Sequence, residues 1–363
     1  MANYITDMRI NAYRGIRGLK LENLGNVNII LGDNNCGKTS LLEAVRIISS
    51  PHNIDSIAYI ARQRDAIAPS FFRSSGFSAL LSSLCHINDK YFLDIGADIG
   101  GENIYFRLNG HLEQRIIEPE DMRLSRSLRD RAVSEETSTL VGSIYSSYPK
   151  GQLSLLDSDG NAEFAFNKYS RLSRPSKGRL PIQHLSPMDH IALSSSASIT
   201  RSKMIHDETV EILKLIDPNI VDLRADIDDD TNRRAWIIED KNAGYIPLSA
   251  FGDGTKKIVT LACTIASMDK GILLIDEFET SIHSKAMSST FNFLLQACAA
   301  RGIQLFLTTH SEEALDKMLE CCSDKLDLLR VVMLEKNHNG SHARVLDGNQ
   351  ALSLRVDNNA ELR

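Results

Sequence analysis

The sequence predicts an α/β fold built on a parallel sheet that is covered on both faces, with an antiparallel β part near the N-terminus. Three mainly apolar runs, Val27–Leu31, Gly271–Ile275 and residues 303–307, each end in polar residues. Such runs suit strands that are buried on both faces of a parallel sheet. Within residues 1–31, the segments 8–12 and 19–24 instead alternate polar and apolar side chains, which is typical of two or three short strands with one solvated face.

The remaining elements follow from periodicity and from chain-breaking residues. Residues 91–99 and 103–108 predict an antiparallel pair that turns through Gly100 and Gly101. The helices and the terminal hairpin that the same patterns predict lie at residues 40–48, 203–215, 258–267, 330–335 and 343–346.

Residues 118–140 stand apart because they are dense in charges of both signs, which predicts a solvated helix. Residues 142–180 are rich in Ser, Gly and Tyr and predict loops. We therefore expect four parts, listed by residue range: an N-terminal lobe at 1–117, a charged and mainly helical insertion at 118–180, a connecting arm at 181–247, and a C-terminal lobe at 248–363.

The composition is that of a soluble globular protein, with 42% hydrophobic and 24% charged residues. The formal charge of −6 argues against a chain that coats nucleic acid by bulk electrostatics, although it leaves room for a local basic groove. No apolar run approaches the ~18 residues of a membrane span, and the N-terminus shows no signal-peptide pattern. The six cysteines lack metal-ligand spacing, so we expect a reduced, cytoplasmic protein.

Residues 32–39 read Gly-Asp-Asn-Asn-Cys-Gly-Lys-Thr, a complete phosphate-binding loop between a strand and a helix. Glycines let backbone N–H groups face a polyphosphate, and the N-terminal end of the helix adds positive potential. Lys38 is expected to reach the β- and γ-phosphates, and Thr39 to hold Mg²⁺. The sequence thus predicts a site for ATP and Mg²⁺. Its expected binding residues are Gly32, Asp33, Asn34, Asn35, Cys36, Gly37, Lys38, Thr39 and Ser40. For Cys36, we expect the helix N-terminus to lower the pKa.

Polar residues after the two later apolar strands are expected at the same rim, because ligands sit at the carboxyl ends of parallel strands. Asp276 is placed to hold Mg²⁺ with Thr39. Glu277, one residue on, is the natural general base for an attacking water. His310 follows Thr308 and Thr309 and is predicted to sense the γ-phosphate. Together with Lys38, these are the predicted catalytic residues.

The order of these motifs resembles ATP-binding-cassette (ABC) heads of the structural-maintenance-of-chromosomes (SMC) and OLD (overcoming lysogenization defect) type. Residues 11–16, Asn-Ala-Tyr-Arg-Gly-Ile, look like the element whose arginine contacts nucleotide phosphates in that group, which would be Arg14. Residues 251–255 look like the signature loop, which faces the nucleotide of the opposite subunit. The loop residues that this resemblance implies in nucleotide binding are Gly252, Asp253, Gly254 and Thr255.

Three departures from that group's pattern bear on function. Gly252 stands where that group usually has its signature serine. No segment is a clear Q-loop, and the candidates for its glutamine are Gln63 and Gln183. The residues after His310 are too few for the TOPRIM nuclease domain of OLD proteins, and no heptad run supports a long coiled coil. We therefore expect an ABC-type head without its own nuclease, which dimerises around ATP and controls a separately encoded effector in antiphage defence.

Other functions stay open at this point. A RecF-like ATPase would bind duplex DNA, and the basic loop residues that support it are Arg171, Arg174, Lys177 and Arg179. A nuclease would need an acidic metal cluster, and the candidate residues are Asp226, Asp228, Asp229 and Asp230. The form of the motifs disfavours a transport ATPase.

Overall fold

The computed structural model describes most of the chain as two sheets, a small three-stranded sheet and the helices around them. It describes residues 2–49, 53–65, 74–122, 133–147, 157, 159–174, 180–191, 202–228, 233–337 and 340–358. In these ranges no helix is both long and apolar enough to cross a membrane.

The first sheet is antiparallel. Its strands are β1 (Ile5–Tyr13), β2 (Ile16–Leu21), β4 (Cys85–Ile87), β5 (Lys90–Ile99), β6 (Glu102–Ile117), β7 (Glu135–Ser146) and β8 (Asn161–Phe166). They are ordered β2-β1-β5-β6-β7-β8, and β4 pairs with β5. The predicted pair at 91–99 and 103–108 is confirmed as the neighbours β5 and β6, with Ile99 opposite Glu102.

The second sheet carries the predicted apolar strands. Its strands are β3 (Val27–Leu31), β9 (Ile182–Leu185), β13 (Gly271–Ile275), β14 (Ile303–Thr308), β15 (Leu329–Asn337) and β16 (Gly340–Asp347). The order is β16-β15-β3-β14-β13-β9, and all neighbours are parallel except β15 and β16. Every residue of β3, β13 and β14 is buried, as expected for a sheet covered on both faces.

Helices cover this parallel sheet. They are α1 (Lys38–Ile48), α2 (Ile54–Arg62), α3 (Gly76–Ser83), α4 (Lys203–Ile216), α5 (Asp253–Ala266), α6 (Ser284–Ala300), α7 (Glu312–Cys321) and α8 (Gly348–Asn358). Ile30 and Phe306 pack in a core with α1 and the antiparallel sheet. Ile29 and Leu305, one residue away on the same strands, pack in a second core with α4, α5, α6 and α7. The period-2 alternation of a strand therefore divides the interior into two cores.

The connecting arm contains α4 and a three-stranded antiparallel sheet. Its strands are β10 (Ile220–Asp228), β11 (Arg233–Asp240) and β12 (Gly244–Pro247). Ile205 and Leu213 of α4 are fully buried in the same core as Ile238 of β11, which attaches the arm to the helical face of the parallel sheet.

The prediction of a mainly helical insertion is wrong where the structure describes it. Residues 135–146 are strand β7, which pairs with β6 from Glu135 opposite Ile117 to Ser146 opposite Phe106. The side chains explain this, because Thr137 and Thr139 are buried two residues apart and β-branched residues favour strands. The dense charges made the two-residue alternation of this strand hard to recognise in the sequence. Residues 123–132 of the charge run lie outside the described residues.

Candidate active site

The phosphate-binding loop joins the end of β3 to the start of α1 and depends on left-handed glycines. Gly37 has φ 113° and Gly32 has φ 150°. A Cβ at Gly32 would lie 2.3 Å from the Leu334 carbonyl oxygen of β15, so the position admits no side chain. Residues 34–40 line a cleft of about 640 Å³ together with Arg14, Asp276 and Glu277. The structure thus brings the phosphate loop and three further predicted site residues to one cleft.

Lys38 is buried at the base of this cleft. Its Nζ donates hydrogen bonds to the carbonyl oxygens of Gly32 at 2.6 Å and of Asp33 at 2.9 Å. These contacts hold the ammonium inside the curve of the loop. A cation at that point fits a polyphosphate, whose negative charge the loop N–H groups and the helix N-terminus also favour.

Asp276 forms the centre of a short hydrogen-bond chain at the end of β13. The Thr39 hydroxyl donates to its Oδ2 at 2.7 Å, and the Thr308 hydroxyl donates to its Oδ1 at 2.6 Å. Asp276 is only 5% exposed. A buried carboxylate oxygen beside a hydroxyl oxygen is a donor set that suits Mg²⁺. These residues therefore fit the ion expected from the sequence.

Glu277 adopts a left-handed conformation, with φ 47°. Its backbone N–H donates to the Thr308 hydroxyl at 2.8 Å, and its Oε2 accepts from the Thr280 hydroxyl at 3.1 Å. A left-handed non-glycine residue costs ~1–3 kcal/mol and such residues cluster at functional sites. The turn directs Glu277 into the lining of the cleft, where a general base is required.

His310 follows β14, contacts the carboxylate of Glu279 and does not line the cleft. Its Nδ1 lies 2.9 Å from Glu279 Oε1, and its backbone N–H donates to the same oxygen at 2.8 Å. The histidine side chain is 53% exposed, whereas that of Glu279 is 10% exposed. His310 is therefore fixed at one ring nitrogen and reaches the surface beside the turn that carries Glu277.

The predicted signature residues begin α5 and do not line the cleft of their own chain. Gly252 is the N-cap of α5, and both it and Asp253 are exposed. A Cβ at Gly254 would lie 2.6 Å from the Ser281 carbonyl oxygen, so the loop packs on the turn after Glu277. The contact of these residues with a nucleotide held by another copy stays a prediction.

Lys257 fixes α5 to that same turn. Its Nζ donates to the carbonyl oxygens of Glu277 at 2.9 Å and of Thr280 at 2.6 Å. The side chain is 5% exposed, and this burial lowers the pKa of the Lys257 ammonium to about 8. Lys257 was not predicted as a site residue, because it precedes the apolar run that begins at Ile258 and looks like an ordinary surface charge in the sequence.

We expect the charge of Lys257 to make stability depend on pH. Because its folded pKa is below the unfolded value, the unfolded chain binds more protons between about pH 8 and 10.5, so stability from this group rises through that window. The wild-type free energy of unfolding, minus that of Lys257→Met, should increase by up to about 3 kcal/mol across it. Urea titrations at both pH values measure this, with Lys214→Met, at a partly exposed position of α4, as the control. A constant difference would contradict the assignment.

Arg14 lines the cleft, but its guanidinium forms an ion pair with a carboxylate. Its Nε contacts Glu43 Oε2 at 2.6 Å, and Arg64 Nε contacts Glu43 Oε1 at 2.7 Å. Glu43 lies on α1 and also accepts from the Tyr13 hydroxyl at 3.0 Å. The contact of Arg14 with a phosphate stays a prediction. Glu43 and Arg64 were missed, although a charged residue within the apolar pattern of α1 was a usable signal.

The expectation that Cys36 is a low-pKa thiol is wrong. Burial raises the pKa of the Cys36 thiol, and this outweighs the opposing effect of the nearby Lys38 charge. Cys36 is buried in the loop, and its contact with a nucleotide stays a prediction.

The structure does not choose between the Q-loop candidates. Gln63 and Gln183 both border a second cavity of about 520 Å³, which Thr39 and Asp276 also line. Gln63 Oε1 accepts from Arg46 Nη1. Which glutamine approaches the nucleotide stays a prediction.

Only parts of the two other candidate clusters are described. Arg171 and Arg174 of the basic loop are described, whereas Lys177 and Arg179 lie outside. Asp226 is described, Asp228 only in its backbone, and Asp229 and Asp230 lie outside. In the described part of the chain, no group of three or more His, Cys, Asp and Glu side chains could hold a metal ion.

We expect His310→Ala to slow ATP hydrolysis with little loss of ATP affinity. His310 does not line the phosphate cleft in this chain, so its removal leaves Lys38, Thr39 and the loop unchanged. Steady-state kinetics should show a lower kcat, and equilibrium titration with ATP should show a nearly unchanged Kd. His342→Ala, at an exposed position of β16, is the control. An unchanged kcat would remove His310 from the site.

The sequence of this chain matches a known protein family. The sequence profile of a family described as "AAA domain, putative AbiEii toxin, Type IV TA system" matches residues 27–316, and the chain therefore belongs to this family of AAA-type ATPase domains. An "ATP/GTP phosphatase" of Helicobacter pylori is 21% identical over 362 residues, covering 88% of this chain and 89% of that protein. An uncharacterized protein of Methanocaldococcus jannaschii is 54% identical over 46 residues, which are 13% of this chain and 21% of that protein.

A solved structure supports the fold. The crystal structure of an SMC head bound to the C-winged helix domain of ScpA aligns with a TM-score of 0.53 at 12% identity, covering 96% of this chain and 100% of that one. The predicted fold class, an ABC-type ATPase head with a parallel sheet and an antiparallel β part, is thereby confirmed.

Proposed function

We propose that this chain hydrolyses ATP in the cleft between the phosphate loop and Asp276, and that ATP binding joins two copies. The observation that carries the proposal is the hydrogen-bond chain Thr39–Asp276–Thr308, whose last member also accepts from the Glu277 N–H. It connects the loop, the end of β13 and the end of β14 by bonds of 2.6 to 2.8 Å. Three motifs that are far apart in sequence thus share one polar site.

Each residue has a defined task in the proposed reaction. Lys38 and the loop N–H groups bind the β- and γ-phosphates. Thr39 and Asp276 are the residues that would hold Mg²⁺, which when bound offsets the charge of the phosphate oxygens. Glu277 accepts a proton from water as the water oxygen attacks the γ-phosphorus. The bond from that phosphorus to the β–γ bridging oxygen breaks, and ADP and phosphate are the products.

The exposed positions of Gly252 and Asp253 support a homodimer. Residues 252–255 of one copy would face the nucleotide bound by the other, so that each ATP is contacted from both sides. ATP would then favour the closed dimer, and loss of the γ-phosphate would release it. The two copies would contribute different halves of each site.

The cellular role that we propose is control of a separately encoded effector in antiphage defence. The family description, which includes a toxin of a toxin–antitoxin system, supports a defence role. The effector would be a nuclease or TOPRIM-like protein, as the resemblance to OLD proteins implies. The proposed docking surface is the insertion, because ATP chemistry does not require it. Its strands β7 and β8 lie at the end of the antiparallel sheet opposite to β2.

A phosphate-release assay tests the ATPase activity directly. Purified protein should release phosphate from ATP with Mg²⁺ and stop when EDTA removes the ion. Turnover that persists in EDTA would contradict the Thr39–Asp276 site, and turnover that survives Thr39→Val together with Asp276→Asn would place the activity elsewhere.

A further inference from the structure

We infer that Glu279 is a positioning residue that fixes the ring of His310 through its Nδ1. The inference rests on the proposed function, because it assigns a second residue to the same site. Glu279 Oε1 lies 2.9 Å from His310 Nδ1 and accepts the His310 backbone N–H at 2.8 Å. Two donors of one residue therefore converge on a single carboxylate oxygen.

This double contact determines which ring nitrogen is free. A carboxylate accepts hydrogen bonds and donates none, so Nδ1 must carry a hydrogen to bond with it. The backbone contact fixes the start of the side chain, and the Nδ1 contact fixes the ring plane. Nε2 is then the nitrogen left for substrate. Carboxylates orient metal-binding and catalytic histidines in the same manner.

The second oxygen of Glu279 points to a role beyond surface pairing. Oε2 is buried and has no hydrogen-bond partner among the described residues, and the Glu279 side chain is only 10% exposed. A buried carboxylate is costly unless an opposite charge compensates it. Lys257 is the nearby cation: burial lowers the pKa of its ammonium, and the negative charge of Glu279 opposes that lowering.

Lys257 also holds the backbone on both sides of Glu279. It donates to the carbonyl oxygens of Glu277 and Thr280, which fixes the turn from which the carboxylate projects. A continuous set of contacts therefore runs from α5, through the turn of the proposed base, to His310.

The test combines a spectroscopic measurement with kinetics on the full chain. In protein labelled with ¹⁵N-histidine, with His310→Ala used for assignment, the His310 Nδ1 should carry a hydrogen in the wild type. Glu279→Gln retains an acceptor oxygen and should keep this state, whereas Glu279→Leu should lose it. Glu211→Leu, at an exposed position of α4, is the matched control. A wild-type ring with an unprotonated Nδ1 would overturn the inference, whether or not any variant folds.

Kinetics separate positioning from a purely structural role. Glu279→Leu should lower kcat about 10- to 100-fold, the usual effect of losing such a partner, with little change in KM. Glu279→Gln should recover most of this loss. In the His310→Ala background, Glu279→Leu should lower kcat no further, because it acts through His310. An equal loss in both backgrounds, or a Gln variant as slow as the Leu variant, would contradict the inference.

The same data distinguish this inference from the proposed function. If the wild type releases no phosphate from ATP, the proposed function fails, while the ring measurement still decides whether Glu279 fixes Nδ1. If the wild type is active and its kcat depends on His310 but not on Glu279, the proposed function stands and the inference fails.

Discussion

Lys38→Ala should abolish measurable ATP binding. The Lys38 ammonium is buried inside the curve of the loop, where it bonds two loop carbonyl oxygens and is placed to neutralise phosphate charge. A hydrogen bond to a charged group is worth ~1.5–3 kcal/mol, which alone is about 10- to 100-fold in affinity. The substitution also removes the two contacts that close the loop, so we expect the total effect to be larger. Isothermal titration with ATP and Mg²⁺ measures it.

The matched control for this prediction is Lys214→Ala. Lys214 lies on α4 and forms an exposed ion pair with Glu211, so its loss should leave ATP binding unchanged. Thermal unfolding of each variant shows whether the fold is retained. Equal ATP affinity in Lys38→Ala and the wild type would refute the assignment of residues 32–39 as the phosphate site.

Glu277→Gln should bind ATP normally and hydrolyse it ~10²–10⁴ times more slowly, the range that general-base catalysis contributes. The amide has the shape of the carboxylate and keeps an oxygen for the Thr280 hydroxyl, so the left-handed turn should survive. It cannot take a proton from water. ATP should therefore persist at the site and hold two copies together. Single-turnover phosphate release and ATP titration separate the two effects.

Glu211→Gln is the control for Glu277→Gln, because it removes the same charge from an exposed helix position. Hydrolysis should be unaffected there. If Glu277→Gln turned over as fast as the wild type, Glu277 would not be the base. A parallel fall in ATP affinity would show instead that the substitution disturbs the cleft.

The central sheet was predictable because its strands are buried on both faces, which leaves apolar runs that few other structures tolerate. The loop at 32–39 and the carboxylates after Gly271–Ile275 were likewise readable, since the chemistry requires those residue types at strand ends. Their convergence on one cleft follows from the parallel order of β3, β14 and β13.

The insertion was not predictable in the same way. β7 begins inside the charge run, and its pairing with β6 buries Thr137 and Thr139, which carry no strong apolar signal. Tertiary pairing overrides local charge pattern in such strands.

The supporting residues of the site were also hidden from sequence reasoning. Glu279 and Lys257 look like ordinary surface charges until the fold brings α5, the turn after β13 and the end of β14 together. Arg14 was singled out from the sequence, because its motif resembles one that contacts phosphate. In the structure it forms an ion pair with Glu43. Charge partners depend on three-dimensional neighbours that no local pattern specifies.

The most direct test of the account is the solution mass of Glu277→Gln with and without ATP and Mg²⁺, alone and then with duplex DNA. We expect a monomer without ATP, a dimer with ATP and Mg²⁺, and no retained DNA. A mass that ignores ATP would contradict the nucleotide-driven dimer. A dimer that retains duplex DNA in a salt-dependent manner would contradict the partner-control role and support the RecF-like function instead.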